Sequence, residues 1–180
     1  MDTEFQDIES IIMSHSQRGM PILREYLPSN YCKEAAEYIL SWKKGVIFIA
    51  TGFYVAGHAE TDGPPGALII SLVLKKLGYT PVILTDKYCQ SFFEKYEIKV
   101  DKLIISSVSN WGGYGLVAYL CNLTKNKQFF ETVEKTVKDY IKFIISLGSV
   151  DGITHENVEK VDGFDIDIEL DIIRTLLKVI

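Results

Sequence analysis

The chain has 180 residues, 47% of them hydrophobic and 24% charged, with a formal net charge of −5. That length favours one domain over residues 1–180, and the balance excludes a disordered chain, a collagen-like fibre and a disulfide scaffold. The acidic surplus argues against nucleic acid as a partner, because such a binder needs a basic face.

In chain order, Phe5, Ile8, Ile11 and Ile12 recur at helical spacing and predict a first helix. Residues 16–19 break it, and Pro21 and Pro28 punctuate a short connector. Asn30 is placed to cap a second helix with Ala35, Ala36, Ile39 and Leu40 on its inner face. Residues 46–50 read VIFIA, a continuous β-rich run that predicts a strand buried on both faces. A loop rich in glycine and proline, 51–65, leads into a helix over 66–77 that Gly78 closes.

The next strand is 81–85, with Asp86 at its carboxyl end. A helix over 87–96 and a third apolar strand over 102–107 follow, then a turn and a helix over 114–123. A long amphipathic helix over 127–147 carries Val133, Val137, Tyr140, Ile141 and Ile144 on its apolar stripe. An acidic loop, 148–163, precedes a last helix over 165–179. Its first turns hold Asp165, Asp167, Glu169 and Asp171, where the helix dipole favours negative charge. Strands alternating with helices imply an α/β fold, a three-layer α/β/α arrangement with a small, mainly parallel sheet.

Cys32, Cys89 and Cys121 are odd in number, widely spaced and without a CxxC pair. They read as small buried hydrophobes in a reducing compartment. No signal-peptide pattern opens the sequence, and its apolar runs fall far short of a membrane span. The expectation is a cytoplasmic protein with no membrane partner. The apolar faces of the first and last helices, and the edges of a small sheet, make a homodimer a further expectation.

In an open parallel sheet, ligands bind outside the carboxyl ends of the strands. Three unusual segments fall there: 51–66, Asp86 and 109–115. In the first, Pro64 and Pro65 suit a helix entry, and the helix start offers free N–H groups to an anion. Glu60 and Asp62 stand just before it, as a base, as cation ligands or as helix caps. In the last, Ser109 and Asn110 offer a hydroxyl and an amide, Gly112 and Gly113 free the backbone, and Trp111 and Tyr114 are placed to wall a pocket. The same residues also make an ordinary strand-to-helix turn with a core tryptophan. Asp151-Gly152 and Asp162-Gly163 are turn formers, or carboxylates that return to bind a metal or a substrate amine. Among the histidines only His58 falls inside these segments. No Walker loop, dinucleotide fingerprint, HExxH or GxSxG pattern occurs, so neither a nucleotide cofactor nor nucleophilic hydrolysis is expected.

Taken together, TGF…ETDGPPGA, the strand ending in TD, SNWGGYG, the DGIT…VDG pair and Arg18-Gly19-Met20 keep one order along most of the chain. In that order they resemble the C-terminal domain of D-glutamate cyclase. Between the TD strand and SNWGGYG, members of that family usually carry a long glycine-containing segment that is absent here. The resemblance implies a lyase that interconverts D-glutamate and 5-oxo-D-proline with loss of water, or acts on a related small acid. It implies Glu60 and Asp62 as catalytic carboxylates. Thr51, Gly52, Thr61, Gly63 and Gly66 would hold substrate on one side, and Ser109, Asn110, Trp111, Gly112 and Gly113 on the other. Asp62, Asp86 and Asp151 would complete a magnesium or manganese shell, since oxygen ligands suit those ions. The alternative is a metabolite- or phosphate-binding module of the same fold without turnover.

Overall fold

The structure is a computed structural model that describes residues 3–15, 20–52, 54–55, 57–86, 88–96, 98–102 and 110–180. Three helices come first: α1 (Thr3–Ile12), a single turn α2 (Met20–Leu23) and α3 (Tyr31–Ser41). The strand β1 (Val46–Ala50) leads into a small hairpin, β2 (Tyr54–Val55) and β3 (His58–Ala59), and then into α4 (Pro64–Lys76). After β4 (Thr80–Thr85) and β5 (Lys99–Lys102) come α5 (Asn110–Leu123), α6 (Lys127–Phe130) and α7 (Val133–Ser146). A second hairpin, β6 (Lys160–Val161) and β7 (Phe164–Asp165), turns directly into α8 (Ile166–Val179).

The main sheet has the order β1-β4-β5 and both pairings are parallel, so the fold class is the expected α/β. Burial in β1 differs from expectation. Ile47 and Ile49 turn inward, whereas Val46 is exposed and Phe48 is 62% exposed. An edge strand with one open face shows the period of two that a strand covered on both sides lacks.

Helix α4 is buried over Pro64–Ile70 and packs on both β4 and α5. Gly63 precedes it at φ 90°, which a residue with a Cβ rarely adopts. The two prolines fill its first positions, where a missing N–H costs least. Around α4 and α5 one core gathers Ile8 and Ile12 of α1, Ala36 of α3, Val133, Val137 and Ile141 of α7, and Leu170, Ile173 and Leu176 of α8. Leu68, Ile83, Phe92, Phe93, Tyr140 and Ile144 form a second cluster beneath the sheet. Cys32, Cys89 and Cys121 are free and buried, and burial pushes the Cys32 and Cys121 thiols up to about 12.

Several elements depart from the sequence reading. Asn30 holds the N-cap position of α3 but makes no side-chain capping bond, and Ala35 faces solvent while Cys32 and Ala36 are buried. Two 3₁₀ turns, Gln90–Phe92 and Glu94–Tyr96, replace the helix expected over 87–96. The turn begins with Asp86 Oδ1 accepting the Tyr88 and Cys89 N–H groups, and the tight bonds that follow turn Cys89, Phe92 and Phe93 into the core. The long helix over 127–147 divides at Glu131 and Thr132, where Thr132 Oγ1 bonds the Phe129 carbonyl. β5 covers Lys99–Lys102, and residues 103–107 of the expected strand lie outside the described residues.

Candidate functional site

Residues 110–113, NWGG, are the first turn of α5 rather than a loop before it, since α5 already begins at Asn110. Two glycines in a first turn weaken a helix, so tertiary contacts must hold it. One such contact is the Asn110 side chain, which reaches across to the start of α4. Its Oδ1 accepts the N–H groups of Gly63 at 3.0 Å and Gly66 at 3.1 Å. Its Nδ2 donates to the Thr61 carbonyl at 3.4 Å, and its backbone N–H donates to Asp62 Oδ1 at 3.3 Å. Asp62 Oδ1 also accepts the Gly63 N–H at 2.9 Å. The ETDGPPGA and SNWGGYG motifs are therefore one hydrogen-bonded unit that joins two helix N-termini. The Gly63 and Gly66 N–H groups, expected to face substrate, are taken up by Asn110.

Beside this junction lies a cleft of about 360 Å³. Its polar wall holds Asp62, Asn110, Gly112, Asp162 and Glu169. Its apolar wall holds Ile12, Met13, Met20, Leu27, Trp111 and Phe164, among others. His15, at the end of α1, also lines it, with its ring centroid 5.9 Å from Trp111 and 5.8 Å from Phe164. It is thus His15 that reaches the cleft, whereas His58 sits exposed on β3. Among the described lining residues there is no lysine or arginine.

Glu169 is the residue that sequence reading missed. In the sequence it is one of the acids of the α8 first turns, yet its side chain is fully buried and lines the cleft. Tyr114 Oη donates to its Oε2 at 2.8 Å, and Trp111 Nε1 donates to its Oε1. Burial pushes its pKa up to about 8; the two donors pull it down, and the charges of Asp62 and Asp162 push it up again. The helical phase carried the signal. Glu169 shares the face of Ile166, Leu170, Ile173 and Leu176, and an acid on a buried stripe is rare unless its polar atoms are paired.

The other expected site residues divide plainly. Asp62, Asn110, Trp111 and Gly112 line the cleft. Thr61 sits behind it, with its N–H on the Val150 carbonyl and its hydroxyl on the Lys160 carbonyl. Gly113 is buried against Gly66. Glu60 pairs with Val150 in a parallel bridge, and its carboxylate lies over Gly152. Thr51 and Gly52 are buried just past the end of β1; among the described residues, the hydroxyls of Thr51 and of Thr85, the last residue of β4, find no hydrogen-bond partner. Ser109, Arg18 and Gly19 lie outside the described residues.

Asp86 and Asp151 are occupied by backbone. Asp86 Oδ1 holds its turn, as described. Asp151 accepts the Gly163 N–H at 2.8 Å, the Thr154 N–H at 2.7 Å and the Ile153 N–H at 3.3 Å. Burial alone would raise its pKa, but these donors outweigh burial and lower it. The Asp162-Gly163 pair forms the two-residue turn of the β6–β7 hairpin, both residues at positive φ. Among the described residues no group of three or more His, Cys, Asp or Glu side chains is placed to hold a metal ion, so Asp62, Asp86 and Asp151 do not gather into the expected shell.

Residues 8–97 and 95–177 match the family described as D-glutamate cyclase-like, C-terminal. The chain belongs to this family. In this D-glutamate cyclase-like domain the two matched segments overlap at residues 95–97. No curated protein matches the chain. None of the described helices is long and apolar enough to cross a membrane.

Proposed function

We propose that this D-glutamate cyclase-like domain is a lyase that interconverts D-glutamate and 5-oxo-D-proline, or closes a related small amino acid, in the cleft beside Asp62. The observation that carries the reading is the meeting of the Asp62 carboxylate and the start of α5 in one cleft. The substrate amine is an ammonium at neutral pH and must lose a proton before it can attack the side-chain carboxyl carbon. Asp62, on the acidic wall, receives the ammonium and takes that proton. The positive end of α5, at Asn110, Trp111 and Gly112, lies where a substrate carboxylate would be stabilised. The described residues do not fit a resident divalent cation, and no step is routed through one. The reading places the protein in the cytoplasm, acting on a free metabolite.

The test is NMR of D-glutamate and of 5-oxo-D-proline incubated with the protein. Interconversion that Asp62→Asn removes without changing the melting temperature supports the lyase. A second reading, a metabolite-binding module without turnover, is favoured by one observation: Asn110 takes up the Gly63 and Gly66 N–H groups, so these donors do not serve to stabilise a leaving oxygen. That reading predicts a raised melting temperature with ligand and no conversion.

A further inference from the structure

We infer that Glu169 is a catalytic residue of this cleft, the acid that touches the substrate and protonates the oxygen that leaves as water. The inference rests on the reading of the cleft as the site of a cyclising dehydration, and it adds a group and a proton route that this reading does not contain.

Three observations carry it. Glu169 stands on α8 and lines the same cleft as Asp62, which precedes α4, so the two carboxyl groups reach the ligand space from different elements. Its side chain is fully buried, and each oxygen is fixed by one donor from α5, Trp111 Nε1 on Oε1 and Tyr114 Oη on Oε2. A carboxyl oxygen can take a second hydrogen-bond partner, and the cleft that Glu169 lines is where a substrate oxygen would supply it. The charged and titratable groups around it are Asp62, Asp162 on the β6–β7 turn, His15 at the end of α1, Tyr31 on α3 and Tyr114 on α5. The described lining residues include no lysine or arginine that would hold it ionised. Its pKa near 8 keeps it an acid at neutral pH, beside an Asp62 in a more open position. Paired carboxyl groups in unlike environments divide acid and base roles in this way.

The proton inventory closes. The substrate ammonium gives one proton to Asp62, and the nitrogen lone pair forms the C–N bond. One C–O bond of the side-chain carboxylate breaks, and the departing oxygen takes one proton from Glu169 and the other from Asp62, leaving as water. The second proton released by nitrogen returns to Glu169. Two protons thus pass from nitrogen to oxygen, and both carboxyl groups end as they began.

Conversion is measured by NMR from about pH 6 to pH 9.5 for the wild type, Glu169→Gln and Tyr114→Phe, with melting temperature and ligand-induced stabilisation measured in parallel. Glu169→Gln is expected to convert at least ~100-fold more slowly while binding ligand as before. Wild-type conversion is expected to fall above about pH 8, because the acid form is lost there. Tyr114→Phe removes a donor that favours the ionised form, so the same fall moves to higher pH. A merely structural glutamate would not move that limb. Equal rates in wild type and Glu169→Gln overturn this inference alone, as does a basic limb that Tyr114→Phe leaves in place. A folded wild type that converts neither compound overturns the lyase reading, and the inference with it.

Discussion

Gly113 on α5 and Gly66 on α4 touch backbone to backbone: a Cβ on Gly113 would stand 2.9 Å from the Gly66 Cα. Real side chains do not approach that closely, so the two helices would have to part. Gly113→Ala is therefore expected to lower stability by roughly 1–3 kcal/mol, the usual cost of overpacking a core. Its neighbour has the opposite sign. A Cβ on Gly112 meets nothing within 4 Å, so Gly112→Ala gains helix propensity and raises stability by roughly 0.5–1 kcal/mol. Urea midpoints of the two variants test the contrast, and equal effects would contradict the helix contact.

Asn110 predicts a loss with a different cause. Asn110→Ala leaves the buried Gly66 N–H without an acceptor, whereas the Gly63 N–H keeps Asp62 Oδ1. One orphaned buried donor costs about 1–3 kcal/mol, so the variant is expected to lose at least roughly 1 kcal/mol. Hydrogen exchange at Gly66 should accelerate more than at Gly63. Unchanged protection at Gly66 would mean that another group satisfies this donor.

Two carboxyl groups give stability opposite pH dependences. Glu169 has its folded pKa raised to about 8, so between its unfolded value and that point the native state binds the extra proton. Stability then falls as pH rises through the window, by up to about 1.4 kcal/mol per pH unit. Glu169→Gln should flatten that slope. Asp151 has its folded pKa lowered by three backbone donors, so its contribution is present above the unfolded carboxyl value and is lost as pH falls through the folded one. Asp151→Asn should therefore be destabilised at neutral pH and converge on the wild type in acid. Denaturant titrations at several pH values read both slopes.

The sequence revealed elements whose signals are local. VIFIA and PVILT form parallel neighbours, Gly78 follows α4 at positive φ, and Asp165 caps α8 by accepting the Asp167 N–H. Proximity to glycine was a poorer guide. SNWGG read as a turn, yet Gly113 serves helix packing and its segment is helical, because the Gly66 contact and the Asn110 bonds outweigh propensity. Aspartate motifs were ambiguous for the same reason. Asp86 and Asp151 have the residue type of a cation ligand, but Asp86 is spent on N–H groups of its own turn, and Asp151 on those of its own turn and of Gly163 in the β6–β7 turn. Glu169 was hidden in a run of four acids, and only its phase on the buried stripe of α8 separates it from Asp167 and Asp171. His15 and Met20 reach the cleft through tertiary packing of the first helices, which no spacing in the sequence encodes.

The most direct measurement is NMR of D-glutamate and of 5-oxo-D-proline in the presence of the wild type and of Asp62→Asn. The account predicts that the wild type brings both compounds to the same equilibrium mixture, and that Asp62→Asn leaves each unchanged while melting near the wild-type temperature. A folded wild type that leaves both compounds untouched, or an Asp62→Asn variant that converts them at the wild-type rate, would contradict it.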